Sequence, residues 1–257
     1  PLLTLAELLG LDPECWHQLY HWTNAFVGED DPEFRKSPED MGRVLGEFMG
    51  FCQELFESRR ANPGPDIATL LANAEINGNP ASLRDFIGNL ILTLVGGNET
   101  TRNSISHTIV TLSQQPDQWD ILRHKPELLK TATAEMVRHA SPVLHMRRTA
   151  MEDTVIGGQA IRKGDKVVLW YASGNRDENV FPDANRFDVT RTGVQHVGFG
   201  SGQHVCVGSR LAEMQLRVVF EILSHRVKGF ELCANPRRFR SNFLNGLKNL
   251  NVVLVPK

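Results

Sequence analysis

A single cysteine lies in a glycine-rich segment that could make its sulfur reactive. Cys206 follows Gly200 and Gly202, precedes Gly208, and marks the expected start of an amphipathic helix. Glycine lets a backbone turn tightly and approach a flat ligand closely. At a helix start, backbone N–H groups and the positive end of the helix dipole stabilise a thiolate. The pattern predicts a nucleophile or a metal ligand; the plain alternative is a small apolar residue buried beside a turn.

Two pairs that contain an acid are further candidates. Glu99 and Thr100 follow two glycines in an otherwise apolar segment, and an acid beside a hydroxyl can pass a proton to a reacting group. Glu135 and Arg138 are three positions apart, the spacing at which helix side chains meet. The alternatives are a solvated helical turn for the first pair and a surface ion pair, worth about 0.2–0.5 kcal/mol, for the second.

Helices must position these residues in the first half of the chain. Ser37, followed by proline and two acids, caps a helix that should end near Arg60. Ser82 caps a second helix that meets no proline until Pro116, which implies about 30 residues of helix. Two glycines near its centre cost about 1 kcal/mol each. A third helix is expected over residues 126–140.

Short strands and irregular segments replace helices in the second half. Gly157 and Gly158 separate two short extended runs, the pattern of a two-residue hairpin. Residues 175–202 show little periodicity. Irregular segments of this length are uncommon in compact domains and usually have a functional reason. The last helix is expected from about Cys206 to Val227, with an inward face formed by Leu211, Met214, Val218, Ile222 and Leu223.

The composition excludes several classes of protein. The 257 residues are 41 % hydrophobic and 23 % charged, and 28 basic residues against 30 acidic ones give a net charge of -2. This balance supplies no general attraction for nucleic acid or a membrane surface. No segment has the run of apolar residues that a membrane span needs. Four scattered cysteines indicate a reducing, cytoplasmic compartment, and the start at Pro1 predicts a piece of a longer protein.

The segment from Phe199 to Gly208 resembles the heme-binding signature of the cytochrome P450 monooxygenases. Its fixed positions are Phe199, Gly202, Cys206 and Gly208. Three further motifs of that family occur in the same order and at similar spacings. They are Gly96-Gly97-Asn98-Glu99-Thr100-Thr101, Glu135-Met136-Val137-Arg138, and a meander with Asn175-Arg176-Asp177 and Phe181-Pro182-Asp183 through Arg186-Phe187.

This resemblance implies a mainly α cytochrome P450 fold with small β-sheets, whose N-terminal part is missing. Residues 1–257 would form one partial domain. Its expected segments are helices over 1–140, small strands and a meander over 141–205, the heme-ligand loop and last helix over 199–227, and a C-terminal hairpin over 228–257.

The cofactor implied by the resemblance is heme b, iron protoporphyrin IX. Cys206 would be the iron ligand, with His204 and Arg148 on the heme propionates, since an arginine fork suits a carboxylate. The other residues expected to contact heme are Phe199, Gly200, Gly97 and Gly208. Gly96 and Gly97 would distort the long helix and leave room for dioxygen, beside which Glu99 and Thr100 would deliver protons.

The remaining site residues are likewise implied by the resemblance. Glu135 and Arg138 would form a buried network with Arg186 that fixes the cysteine loop. An apolar substrate pocket would be lined by Leu92, Val95, Val143, Leu144, Phe243 and Leu244, for which core packing is the alternative.

The expected reaction is insertion of one oxygen atom of dioxygen into a lipophilic small molecule such as an alkane, a terpene or a steroid. Electrons would come from NAD(P)H through a reductase and a ferredoxin, and the protein would be a monomer. Two alternatives stay open. One is a thiol enzyme with Cys206 as nucleophile and His204 as base, and the other is a fragment that keeps the fold without catalysis.

Overall fold

The computed structural model describes residues 1–28, 30–34 and 37–257. Its internal contacts define two compact units, and the division falls within one long helix. Unit 1 comprises Pro1–Arg102 and Phe239–Ser241, and unit 2 comprises Asn103–Arg238 and Asn242–Lys257. The expectation of a mainly helical chain with small sheets is confirmed, whereas the single-domain assignment stays a prediction.

Unit 1 is helical, with one short hairpin that was not predicted. Its helices are α1 (Leu2–Leu8), α2 (Trp16–Val27), α3 (Pro38–Ala61), α4 (Ile67–Ala72) and the first part of α5 (Leu83–Gln114). The hairpin consists of β1 (Glu75–Ile76) and β2 (Asn79–Pro80). Its core is an apolar cluster that includes Leu9, Leu19, Trp22, Phe48, Phe86 and Leu90.

The caps named from the sequence start both long helices of unit 1. The Asp40 N–H donates to Ser37 Oγ over 3.1 Å at the start of α3. At α5, the Asp85 N–H donates to Ser82 Oγ over 3.2 Å and the Ser82 N–H donates to Asp85 Oδ2 over 2.9 Å, a reciprocal capping box. At 32 residues, α5 is about 48 Å long. The helix continues through Gly96 and Gly97, and the expected local distortion at these glycines stays a prediction.

Unit 2 combines helices with four antiparallel strand pairs. After the end of α5, its helices are α6 (Pro116–His124), α7 (Leu129–Ala140), α8 (Tyr171–Gly174) and α9 (Ser209–Arg226). The pairs are β3 (His145–Thr149) with β6 (Lys166–Trp170), β4 (Thr154–Ile156) with β5 (Gln159–Ile161), β7 (Val227–Leu232) with β10 (Val252–Pro256), and β8 (Arg237–Arg238) with β9 (Leu247–Asn249). Gly157 and Gly158 both have positive φ, as the predicted hairpin turn requires.

An irregular segment separates α8 from the last helix. Residues 175–201, all of them described, contain neither helix nor strand, as the sequence predicts. The core of unit 2 includes Phe187 from this segment together with Trp119, Phe220 and Phe230. The predicted C-terminal hairpin is present as two successive pairs, β7 with β10 and β8 with β9.

The last helix differs from its prediction in start and in orientation. It begins at Ser209, three residues after Cys206, and not at the cysteine. The predicted inward face is wrong for Met214, Val218 and Ile222, which are exposed, whereas Leu223 packs against the core. The buried side chains of α9 are Leu216, Phe220 and Ser224. No helix in the described ranges is long and apolar enough to cross a membrane.

Candidate functional site

The cysteine loop of unit 2 is closed by backbone hydrogen bonds. Gly200 and Gly202 adopt φ values of +70° and +65°, which side chains other than glycine rarely allow. The Gly200 N–H donates to the Val197 carbonyl over 2.9 Å, and the Cys206 N–H donates to the Phe199 carbonyl over 2.8 Å. The two bonds bend the chain into a loop that ends at Cys206, three residues before the start of α9.

The Cys206 thiol is exposed at the end of this loop, so the alternative of a buried apolar cysteine is wrong. That description fits Cys52 instead, whose complete burial raises the pKa of its thiol to about 12. Val207, next to Cys206, is fully exposed, and Val205 is 54 % exposed. A Cβ at Gly208 would meet only the Cys206 sulfur, at an ordinary contact distance of 3.9 Å, so the space beside this glycine is open. An accessible sulfur bordered by apolar surface suits a large flat apolar ligand.

Unit 2 contains side chains of the types that bind heme. A cysteine sulfur is a recognised iron ligand in heme proteins, and no cluster of three His, Cys, Asp or Glu side chains able to hold a metal occurs in the described parts of the chain. Arg148 lies in β3, and its NH1 donates to the Arg147 carbonyl over 3.0 Å. No carboxylate of the described residues forms an ion pair with Arg148. With the exposed His204, it could meet the two carboxylates of a heme.

Arg138 is the centre of a buried network in unit 2. It and Glu135 are completely buried, and two parallel bonds join them, from Nε over 2.6 Å and from NH2 over 2.8 Å. The other N–H donors reach the carbonyls of Asn175, Ala184 and Arg186 over 2.6–3.1 Å. All five guanidinium donors are therefore used, and the alternative of a surface ion pair is wrong.

The third member of this network was predicted incorrectly. The side chain of Arg186 is exposed, and Arg186 contributes only its backbone carbonyl. Arg191 takes the predicted place, with its Nε 3.3 Å from Glu135 Oε2 and its NH1 donating to the Pro182 carbonyl. The two arginines lie in one irregular segment, where no periodicity indicates which of them turns inward.

Two histidines beside the network are held neutral. Burial, together with the positive charges of Arg176 and Arg138, lowers the pKa of His139 to about 4. Burial and the positive charge of Arg138 likewise lower the pKa of His196 to about 4. The Gly198 N–H donates to His196 Nδ1 over 3.0 Å, which requires that nitrogen to be unprotonated.

The lowered pKa values of His139 and His196 predict that the folded protein loses stability in acid. Between about pH 4 and 6.5 the unfolded chain binds protons at His139 and His196 that the folded chain does not, so stability falls as the pH is lowered through this range. His196→Asn keeps an acceptor for the Gly198 N–H, but asparagine does not titrate in this pH range. The variant should therefore show a weaker dependence of stability on pH. Urea unfolding midpoints across this range test it, with exposed His225→Asn as control. An unchanged pH dependence in His196→Asn would contradict this explanation.

Glu99 and Thr100 lie in the part of α5 that belongs to unit 1. Glu99 is buried, so a solvated helical turn is wrong for it. Its Oε1 accepts from Asn98 Nδ2 over 2.9 Å, and its Oε2 accepts a close bond from Arg102. Thr100 Oγ1 donates to the Gly96 carbonyl over 2.6 Å. The carboxylate is thus held by neighbours on its own helix, and the hydroxyl bonds to the turn before it.

The predicted pocket residues fall into two groups. In unit 2, the Leu144 N–H donates to the Phe243 carbonyl over 2.9 Å, and Val143 pairs with Leu244. These four residues therefore lie side by side. In unit 1, Leu92 and Val95 lie on α5, and Leu92 is 71 % exposed. A role for these residues in binding substrate stays a prediction.

Comparison with known proteins decides the family. Residues 14–247 match the sequence model of the cytochrome P450 family. The chain belongs to that family. It is 91 % identical over its whole length to the linalool 8-monooxygenase of Pseudomonas putida, and 40 % identical over 98 % of its length to a steroid C26-monooxygenase of Rhodococcus jostii. A Mycobacterium marinum cytochrome P450 solved with pseudoionone superposes with a TM-score of 0.92, at 34 % identity, over 98 % of this chain and 62 % of the other.

This cytochrome P450 chain spans 63 % of the length of the linalool enzyme and 53 % of that of the steroid enzyme. Within it, the sequence did not predict Arg191, and it did not predict the contacts of Asn175. Arg191 completes the buried network, and Asn175 joins that network to the loop. The family motif drew attention to Asn175, but its side-chain partners lie 22 and 34 positions away and leave no local pattern.

Proposed function

We propose that the protein containing this chain is a heme-thiolate monooxygenase acting on a lipophilic small molecule. One observation carries the proposal: in a member of the cytochrome P450 family, an exposed Cys206 sulfur ends a glycine loop that is closed onto Phe199. When bound, heme b supplies the chemistry that activates dioxygen, and thiolate ligation favours cleavage of the O–O bond.

The chain's own residues hold the cofactor in this proposal. Cys206 ligates the iron, and Arg148 and His204 bind the propionates by charge-assisted hydrogen bonds. Apolar and side-chain-free positions of the loop accept the flat ring; these are Phe199, Gly200 and Gly208. Gly97 lies in unit 1, where a Cβ would meet Leu5 at 3.3 Å. The exposed apolar side chain of Val207 and the open space at Gly208 support a ligand of this shape.

Protons are handled by α5 in this proposal. Thr100 gives its Oγ1 proton, now shared with the Gly96 carbonyl, to a water or to oxygen. Glu99, whose carboxylate is oriented by Asn98 and Arg102, takes up a proton from solvent and passes it on to replace the one that Thr100 gave. Exchanging one hydrogen bond of Thr100 for another costs little net free energy, since a typical hydrogen bond contributes about 1 kcal/mol.

The substrate proposed is linalool or a terpene alcohol of similar size. The support is 91 % identity to the linalool 8-monooxygenase of Pseudomonas putida, against 40 % for the steroid enzyme. Val143, Leu144, Phe243 and Leu244 offer apolar surface to such a molecule. Electrons come from NAD(P)H through a reductase and a ferredoxin, and the protein works as a cytoplasmic monomer.

Oxygen labelling tests this function on the full-length protein. The heme-loaded enzyme, with ferredoxin, reductase and NAD(P)H, is given linalool under ¹⁸O₂, and the products are analysed by mass spectrometry. One labelled oxygen atom is expected in hydroxylated linalool, and none when the label is supplied as water. Absence of product from linalool and from steroid and alkane substrates would favour a fold without catalysis. Unlabelled product would contradict a monooxygenase.

A further inference from the structure

The side chain of Asn175 is completely buried and uses both ends of its amide. Its Oδ1 accepts the Val197 N–H over 2.8 Å, and its Nδ2 donates to Ser141 Oγ over 3.0 Å. The partners determine the orientation of the amide, because a backbone N–H can only donate. Ser141 Oγ in turn gives its own proton to the Arg138 carbonyl over 2.7 Å, so it accepts from Asn175.

The backbone of Asn175 is fixed by the buried network. Its carbonyl accepts from Arg138 NH1 over 2.6 Å. Asn175 is therefore held to the end of α7 at two points, through Arg138 and through Ser141. A residue anchored in this way can hold a third group in a defined place.

The third group that Asn175 holds is the Val197 N–H, which lies at the start of the cysteine loop. The Val197 N–H is bound by Asn175, and the Val197 carbonyl accepts from Gly200 at the first turn of the loop. The Phe199 carbonyl then accepts the Cys206 N–H. Hydrogen bonds thus link Arg138 to the cysteine loop, and Asn175 Oδ1 supplies the one side-chain bond from the network to the Val197 N–H.

We propose that Asn175 is a positioning residue that sets the place of the Cys206 sulfur by holding the Val197 N–H. The proposal rests on the proposed role of Cys206 as heme ligand. Without Oδ1, a buried N–H would have no acceptor, and the loop would shift to reach water or another partner. A displaced sulfur ligates iron less completely, so the fraction of thiolate-ligated heme reports on the position of the loop.

The test compares three variants of the full-length, heme-loaded protein. N175A removes the acceptor for Val197. N175D keeps an oxygen in the Oδ1 position for the Val197 N–H, and its other oxygen accepts from Ser141 once that hydroxyl turns away from the Arg138 carbonyl. S141A is the matched control, since it removes a buried bond of Asn175 but leaves the bond to Val197. The measurement is the ratio of the strongly red-shifted to the unshifted Soret band in the reduced carbonyl complex, with thermal unfolding recorded for each variant.

We expect the band ratio to fall about tenfold in N175A, the effect of one buried N–H left unpaired. N175D and S141A should keep the wild-type ratio, although S141A unfolds at a lower temperature. A wild-type ratio in N175A, or an equal loss in S141A, would overturn the proposal. If N175A does not fold, N175S replaces it, since a serine hydroxyl is too short to reach Val197.

Should N175S also fail to fold, N175D and S141A decide the matter: a lower band ratio in N175D than in S141A overturns the proposal, and equal ratios at the wild-type level support it. Failure of the proposed function is distinguishable, because the wild-type protein would then show no red-shifted band at all.

Discussion

Replacing Cys206 with His should abolish the strongly red-shifted Soret band of the reduced carbonyl complex. Only a thiolate ligand donates enough charge to iron to produce that band, and an imidazole does not replace it. The Cys206 side chain is exposed, so the replacement removes no core packing and the chain should still fold. The measurement is the carbon monoxide difference spectrum of the full-length protein, together with its heme content.

A second exposed cysteine provides the control for this experiment. Cys233 lies directly after β7 and is also free. Cys233→His makes the same chemical change away from the loop and should leave the spectrum unchanged. Retention of the red-shifted band in Cys206→His would show that another group ligates the iron. A wild-type protein that holds no heme, but loses activity in Cys206→His, would instead favour the thiol enzyme with His204 as base.

Arg138→Ala should yield little folded heme protein. The substitution leaves the Glu135 carboxylate buried without its two-bond partner, and it removes the donors to three backbone carbonyls. Breaking a buried ion pair by removal of one partner costs about 3–5 kcal/mol. A whole domain is stable by only about 5–15 kcal/mol. Yield of soluble heme protein and urea unfolding of any recovered protein measure the effect.

Arg186→Ala is the matched control, because the motif-based prediction and the structure disagree about this residue. Its exposed side chain makes a loss within about 0.5 kcal/mol the expected result. Its backbone carbonyl, which Arg138 uses, is kept in the variant. Equal losses in Arg138→Ala and Arg186→Ala would restore Arg186 as the third member. Normal folding of Arg138→Ala would mean that the buried network is not needed for the fold.

Local chemistry made the helix starts of this chain predictable. Ser37 and Ser82 cap α3 and α5 as expected because a serine hydroxyl pairs with an N–H three residues on, within one turn. The face of α9 could not be predicted in the same way. Apolar residues occur on two sides of that helix, so 3.6-residue periodicity fits both Met214–Ile222 and Leu216–Phe220. Only packing in unit 2 decides which side is buried.

The residues of the candidate site could be predicted from the sequence where they belong to a motif. The glycines around Cys206 indicated a tight loop, and the positive φ of Gly200 and Gly202 agrees with that interpretation. The partners of Glu135 were not predictable, because Arg191 meets it across 56 positions of chain through an irregular segment. Turns without periodicity leave no pattern from which such long-range contacts can be derived.

The bonds of Arg138 also govern how the irregular segment acquires its structure. Residues 175–201 have neither helix nor strand, and local turns satisfy only some of their carbonyls. The Arg138 guanidinium reaches three others across 37 to 48 positions. Contacts between residues so far apart in the sequence stabilise the fold only when they outweigh the entropy lost in closing large loops. We therefore expect the segment to become ordered only after α7 has formed. In the native state we expect it to open and close together with α7 as one cooperative unit, which amide hydrogen exchange would measure.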